Sequence, residues 1–469
     1  MQPTPVIAIF DIGKTNKKLF LFDEQYNVLY EKTEILPETM DEDGDPCEDL
    51  ALLTEWIKNS LQAVAVIKNF QLKAINFSAY GASFVHVDRE NRPVAPLYNY
   101  LKPYNEKLKK EFYNKYGGEL IFSMNTASPS LGNLNSGLQL YRLKYEKPDI
   151  FLKIRYSLHL PQYLSLLVTK RPYSDITSIG CHTGLWNFAQ NRYHEWLHQE
   201  GISSKLAPIY PSDQIIQTDL NKKPLMSGVG LHDSSAALIP YLSNFSDPFV
   251  LISTGTWCIS LNPFNHTSLT AEELQQDCLS YMEYRGKPIK ASRLFAGYEH
   301  EQQVKRIAEH FHLQTDYYKK VNFDGAIINK LSPGSSPVKK EFHQVKNLSD
   351  SGFAKKDLSL FESYEVAYHQ LMIDILDQQV HSTNLILNRS DTKKIFVDGG
   401  FSHNPIYTNL LAIAFPETEV YAASISQASA FGAAMAIHHY WNPQPVPSNL
   451  IQLKKIKTAP ESHPSVAKT

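Results

Sequence analysis

A chain of 469 residues is longer than the roughly 100 to 200 that one hydrophobic core ordinarily serves, so two or more domains are expected. Hydrophobic residues at 43% and charged residues at 20% exclude an intrinsically disordered chain. A formal net charge of −2 with no long basic run argues against nucleic acid or an anionic membrane as partner, which leaves small molecules.

The first apolar run, Val6 to Phe10, is interrupted at once by Asp11, so it does not read as a secretory leader. No apolar stretch approaches the roughly 20 residues needed to span a bilayer. The cysteines Cys47, Cys181, Cys258 and Cys278 lie far apart with no CxxC pair, which indicates neither a disulfide framework nor a zinc site. The expected location is the cytoplasm.

In chain order, VIAIF and KKLFLF read as strands joined by the turn Asp11-Ile12-Gly13-Lys14-Thr15-Asn16. A phosphate-binding P-loop would feed a helix, but here a second strand follows. At such a hairpin tip Gly13 is expected to take dihedrals closed to other residues and to bring backbone N–H groups near an anion, with Lys14, Thr15 and Asn16 adding donors. The plain alternative is a surface hairpin with an Asp-Gly turn. After a third strand, NVLYEKTE, the acidic loop Asp41 to Asp49 has a calcium-like composition, but it lacks EF-hand spacing and the closing Glu and reads as a solvated loop.

Leu50 to Ile67 carries helical apolar spacing, and KAINFSAYGASFVHVD reads as two short strands broken at Tyr80-Gly81. Gly137 to Lys170 reads as two or three helices interrupted by Pro148 and Pro161. A second hairpin signal, Pro248 to Phe264 with a Ser-Thr-Gly-Thr turn, repeats the device of the first. Its recurrence half a chain later suggests a duplicated domain whose copies face each other across a ligand cleft. There follow a long helix from about Ser363 to Leu387, the strand KIFVDGG, a helix from about Pro405 to Ala414 and the segment ASAFGAAMAIHHYW.

Five motifs in this order, FDIGKTN, GVGLHDSSAAL, STGTW, VDGGFSHNP and QASAFGAA, resemble those of the FGGY family of carbohydrate kinases within the actin-like ATPase superfamily. The resemblance runs from Val6 to about Tyr440. It implies an α/β fold of two actin-like, ribonuclease H-like lobes, each a mixed five-stranded sheet with flanking helices, with ATP and sugar meeting in the interlobe cleft. The expected division is 1–245 for the sugar-binding lobe, 246–441 for the nucleotide-binding lobe and 442–469 for a surface or poorly ordered tail.

The resemblance also implies roles. Asp233 matches the catalytic aspartate that accepts the proton of the attacking hydroxyl, although His232-Asp233 is also placed to cap the helix beginning at Ser234. Asp11 is the candidate for positioning Mg²⁺, with a turn-stabilising Asp as the alternative. Gly13, Lys14, Thr15 and Asn16 would face the phosphates, and Thr254, Gly255 and Thr256 would approach them from the other lobe. Gly399, Gly400 and Asn404 would meet the adenosine, while Asp398 is read as structural and Gln427 as a polar residue farther back.

Ser78, Tyr80, Gly81 and His232 would line the sugar pocket. The family's WxDxR-type motif is replaced by Tyr98-Asn99-Tyr100-Leu101-Lys102-Pro103, which argues against glycerol and xylulose. The HDSSA and GTW segments are similar to rhamnulokinases and fuculokinases, so a 6-deoxy ketohexose is the expected substrate. A kinase for another ketose or polyol, or an Hsp70-like ATPase, is the alternative. His182 is set against a solvated loop histidine, and His300, His310 and His312 read as an exposed helical face. The expected partners are ATP and a sugar, with no nucleic acid and no membrane, and a homodimer is the candidate assembly.

Overall fold

A computed structural model of the chain describes residues 2–332, 351–387, 391–425 and 427–457. It separates into two compact units: Met1–Ser246 with His266–Ala291 and Ser426–Ile451, and Asp247–Asn265 with Ser292–Ile425 and the chain from Gln452 onward. The leading segment of the first unit ends at Ser246, against an expected division at 245, and two later segments rejoin that unit. The physical reason for the second return is the helix Ala428–Ala436, whose Ala430, Ala433 and Ala434 are fully buried. At Gly432 an added Cβ would overlap the carbonyl of Ala236 on the helix Asp233–Asn244, so only a helix stripped of side chains packs this closely.

The sheet of the first unit runs Ile216–Leu220, Lys223–Ser227, Phe70–Ala79, Thr4–Ile12, Lys17–Phe22, Val28–Glu34, with the short strand Leu231–His232 also paired to Phe70–Ala79. That makes seven strands against the expected five. Thr4–Ile12 is antiparallel to Lys17–Phe22 and parallel to Phe70–Ala79. Because both faces are covered, the strand is apolar without alternation, and Val6 through Phe10 have no exposed surface. Phe10 lies edge-on to Trp56 of the helix Leu50–Ala65 at 5.7 Å and stacks on Phe77 at 5.9 Å. Ile7 and Ile9 face the opposite cluster with Ala430 and Ala433.

The second unit repeats the plan. Its strands run Cys258–Asn262, Phe249–Thr254, Lys394–Gly399, Glu419–Ser424, Gln452–Lys455, and Phe249–Thr254 is again antiparallel to its hairpin partner and parallel to the strand on its other side. The long helix is Tyr364–Leu387. Gln452–Lys455, expected in a surface tail, is an edge strand antiparallel to Glu419–Ser424. Its polar residues gave no strand signal. Residues 458–469 of that expected tail lie outside the described residues. The stretch expected as helices between 137 and 170 contains Ser136–Glu146, Pro148–Lys153, the strand Tyr156–His159 and Leu160–Thr169. Pro148 and Pro161 begin helices rather than break them, since Pro lacks only a donor that the first turn leaves unused.

Candidate functional site

In the first unit the strands Thr4–Ile12, Phe70–Ala79 and Leu231–His232 are parallel and end together, with Asp11 in register with Ser78 and Leu231 with Ser78. Ligands of open α/β sheets bind beyond such carboxyl ends. Asp11, Ser78, Tyr80, Gly81, His232 and Asp233 all belong to these strand ends or to the residues that follow them, so the structure brings the predicted sugar, base and metal residues together.

Asp233 opens the helix Asp233–Asn244 from its first turn, and the N-cap is His232, whose side chain makes no cap bond. The capping alternative is thus not what Asp233 does. Its side chain is 37% exposed, and Oδ1 accepts from Ser234 N at 2.6 Å and stands 3.3 Å from His232 Nε2.

Asp11 keeps some surface, yet its carboxyl is closely surrounded by protein. Burial, joined by the charge of Asp233, pushes it up to about 6 against the bonds from Ser429 and Ser78. Ser429 Oγ donates to Asp11 Oδ2 at 2.9 Å, a contact that links positions 418 residues apart and left no sequence signal. Two carboxylates this short of positive charge are suited to a divalent cation. Among the described residues no group of three or more His, Cys, Asp or Glu is placed to hold a metal ion by itself. A cation here would take most of its ligands from water and phosphate, which is the habit of Mg²⁺.

His232 is buried, and burial holds its pKa below the ordinary value against the opposing charge of Asp233. Its Nε2 is 3.3 Å from Cys181 Sγ, which in turn is 3.0 Å from His182 Nδ1. His182 is therefore a buried neighbour of the site rather than a solvated loop residue. A Cβ on Gly81 would stand 2.9 Å from the His232 ring, so the glycine is what lets the imidazole lie against the strand end. Tyr80 is 8% exposed and its hydroxyl donates to Glu48 Oε2 at 2.5 Å, so its ring rather than its hydroxyl is left to face a ligand. That ring meets Tyr100 edge-on at 6.1 Å. Tyr100 is half-buried and lies close enough to Asp233 for that charge, after burial, to raise its pKa.

The rest of the segment that replaces the family's polar motif is committed elsewhere. Tyr98 is buried under the Arg142 guanidinium and donates to Glu42 at 2.6 Å. Lys102 reaches Asp41, Asp43 and Asp45 at 2.5, 2.9 and 2.8 Å. The acidic loop is thus not merely solvated but clamped by a lysine about 60 residues away. Lys147 and Lys102 hold the Asp43 carboxyl well below the usual range.

At the first hairpin tip Gly13 is not left-handed, contrary to expectation. Its constraint is space: its N–H donates to Asn16 O at 2.9 Å, and a Cβ would lie 3.3 Å from that carbonyl. Thr15 and Asn16 are exposed, as an anion-facing tip requires, while Lys14 pairs with Glu38 at 2.9 Å.

In the second unit a cavity of about 560 Å³, large enough for a nucleoside, is lined by Thr254, Gly255, Gly400 and Asn404 together with Gly297 and His300. Gly399, at φ +83°, is required by the backbone, since a Cβ would overlap the carbonyl of Thr254, while Gly400 has open space. Thr254 Oγ1 is consumed by donating to Asp398 O at 2.5 Å and accepting from Phe401 N at 2.9 Å, and Gly255 N–H donates to Trp257 O at 2.9 Å. These groups shape the turn; Thr256, the third member, does not line the cavity. Asp398 Oδ1 accepts from Gly399 N at 2.7 Å. Asn404 caps Pro405–Ala414 through Oδ1 and donates from Nδ2 to Tyr368 at 2.7 Å.

Gly297 and His300 are among the cavity residues that were missed. Gly297 lets the helix Ala296–His310 abut the Gly255 carbonyl, where any side chain would clash. His300, expected on an exposed face, is 8% exposed and bonds Tyr368 Oη at 2.9 Å; burial lowers its pKa to about 4. The signal was present, because His300 shares a helical stripe with Ala296, Val304 and Ile307.

Residues 6–239 match the family model described as the FGGY family of carbohydrate kinases, N-terminal domain, and residues 246–445 match carbohydrate kinase FGGY, C-terminal domain. A rhamnulokinase of Oceanobacillus iheyensis is 23% identical over 412 residues, 82% of each chain. Among solved structures, a carbohydrate kinase from Novosphingobium aromaticivorans superposes with a TM-score of 0.77 at 22% identity, covering 97% of this chain and 95% of that one. A xylulose kinase from Lactobacillus acidophilus gives 0.75 at 13%, covering 97% and 94%. At these identities the structural likenesses show the fold alone.

Proposed function

Because the chain belongs to the FGGY family of carbohydrate kinases, which are ATP-dependent phosphotransferases, we propose that it phosphorylates a hydroxyl of a 6-deoxy ketohexose, L-rhamnulose or L-fuculose. The observation that carries the choice is the segment Tyr98 to Lys102. Its one cation is locked by three aspartates and Tyr98 is buried, so what remains beside Asp233 is the half-buried Tyr100 against the Tyr80 ring. Such a wall suits a methyl terminus and offers little to a full set of hydroxyls. The rhamnulokinase likeness agrees with it.

In this reading Asp233 takes the proton as the sugar oxygen attacks the γ-phosphorus, with His232 against the carboxylate to hold its direction. Asp11 would hold Mg²⁺ directly or through water, and the cation would neutralise charge on the phosphates. The Gly13 to Asn16 tip meets the phosphates, and the cavity at Gly400 and Asn404 takes the adenosine. Buried cysteines outside any disulfide, with a sugar and ATP as substrates, fit a cytoplasmic enzyme.

The test is kcat/KM measured in parallel on L-rhamnulose, L-fuculose, D-xylulose and glycerol. A deoxy sugar should lead by about tenfold or more, the worth of burying one hydroxyl against apolar surface. A preference for xylulose or glycerol would defeat the deoxy-sugar choice and leave the kinase intact.

A further inference from the structure

The hairpin tip and the aromatic wall of the first unit share a buried charge network that the reaction above does not use. Lys17 is 2% exposed, in contrast to the lysines on either side of it. Its Nζ donates to the carbonyls of Gly13 and Lys14, each at 3.0 Å, and pairs with Glu48. Glu48 is itself 4% exposed, and its other oxygen accepts the Tyr80 hydroxyl. The Glu48 main chain also bridges to Leu97, immediately before the segment that carries Tyr100. One carboxylate therefore joins the two carbonyls behind the tip, the Tyr80 ring and the root of the Tyr100 segment.

A buried ion pair is weak evidence of stabilisation, since well-packed apolar residues of the same volume often serve as well. It does fix geometry. The Lys17 ammonium holds the Gly13 and Lys14 carbonyls and so fixes the backbone behind the tip. Its position is set by Glu48, and that of Glu48 by Tyr80.

We infer that Lys17, Glu48 and Tyr80 are positioning residues that couple the sugar wall to the phosphate tip, so that a ligand ordering Tyr80 and Tyr100 also orders Gly13 to Asn16, and the reverse. The inference rests on the placement of sugar and phosphates proposed above. Coupling of this kind is reciprocal and typically amounts to fivefold or more in affinity.

The experiment titrates MgADP calorimetrically into wild type, Tyr80→Phe, Lys17→Met and the variants Lys17→Met/Glu48→Leu and Lys17→Met/Tyr80→Phe, with Tm recorded for each. Tyr80→Phe removes only the hydroxyl that bonds Glu48, yet MgADP should bind roughly fivefold more weakly. Lys17→Met/Glu48→Leu, which leaves no unpaired charge, should keep Tm and show the same loss. Lys17→Met/Tyr80→Phe should lose far less than the product of its single losses, because both cut one chain. A purely structural role moves Tm and leaves the affinity of the folded protein alone. Wild-type affinity in Tyr80→Phe and in Lys17→Met/Glu48→Leu would overturn the network while leaving the kinase reading standing. A wild-type chain that does not bind MgADP would overturn the ligand placement, and the network with it.

Discussion

Asp11→Asn should make the unliganded protein harder to melt at neutral pH while removing its activity. The Asp11 carboxyl is pushed from its ordinary 3.8 to about 6, by burial first and by Asp233 beyond the hydroxyl bonds. At roughly 1.4 kcal/mol per pH unit, ionised Asp11 costs the folded state at most about 3 kcal/mol at pH 8. Asn carries no charge, and its Oδ1 still accepts the Ser429 hydroxyl that bonds Asp11 at 2.9 Å. If about half of that ceiling is recovered, Tm rises by roughly 3 to 6 °C. The sign follows from linkage. A carboxyl whose folded pKa is raised contributes stability that is full below 3.8 and lost as pH rises through about 6. The gain of Asp11→Asn should therefore vanish near pH 4, grow between the two values and level off above about 6. Scanning calorimetry of both proteins from pH 4 to 8 reads it directly. Mg²⁺ with ADP should narrow the gap by binding wild type better. An Asp11→Asn protein less stable than wild type at pH 8, or a gain of the same size at every pH, would refute the reasoning.

Asp233→Asn keeps the shape but loses the proton acceptor, so turnover should fall by about 10² or more with MgADP affinity retained; near-normal turnover on the true sugar would reassign the base. The adjacent glycines should separate cleanly. Gly399→Ala meets the Thr254 carbonyl at φ +83° and should cost the second unit about 2 to 4 kcal/mol by denaturant titration. Gly400→Ala has open space and lines the cavity, so its Tm should stay put while the KM for ATP rises.

Both hairpins were legible because a short polar turn holding a glycine between strongly apolar runs admits few other structures, and Asp11 followed as the residue that closes the first run. What stayed hidden depends on pairs distant in the chain. Ser429 on Asp11 and Lys102 on the aspartates 41, 43 and 45 obey no local period, and no spacing rule connects them. The return of Ala428–Ala436 to the first unit was written in its small residues, but smallness says only that something comes close, not what. Thr254 illustrates a further limit: a hydroxyl in the expected place is available to a ligand only if the backbone around it leaves it alone, and here Asp398 and Phe401 do not.

The Lys102 clamp changes what kind of object the acidic loop is. Its three carboxylates converge on one cation, and that counter-ion is a side chain of the same polypeptide. A tethered counter-ion has no dissociation constant and no dependence on metal supply, so its local concentration is set by chain geometry. Lys102 stands two residues beyond Tyr100, and the loop it grips leads through Cys47 into Glu48 and the helix Leu50–Ala65. The aromatic wall of Tyr80 and Tyr100 is therefore moored at one end by charge and at the other by a helix, and its composition at Tyr100 is free to vary without loosening either mooring.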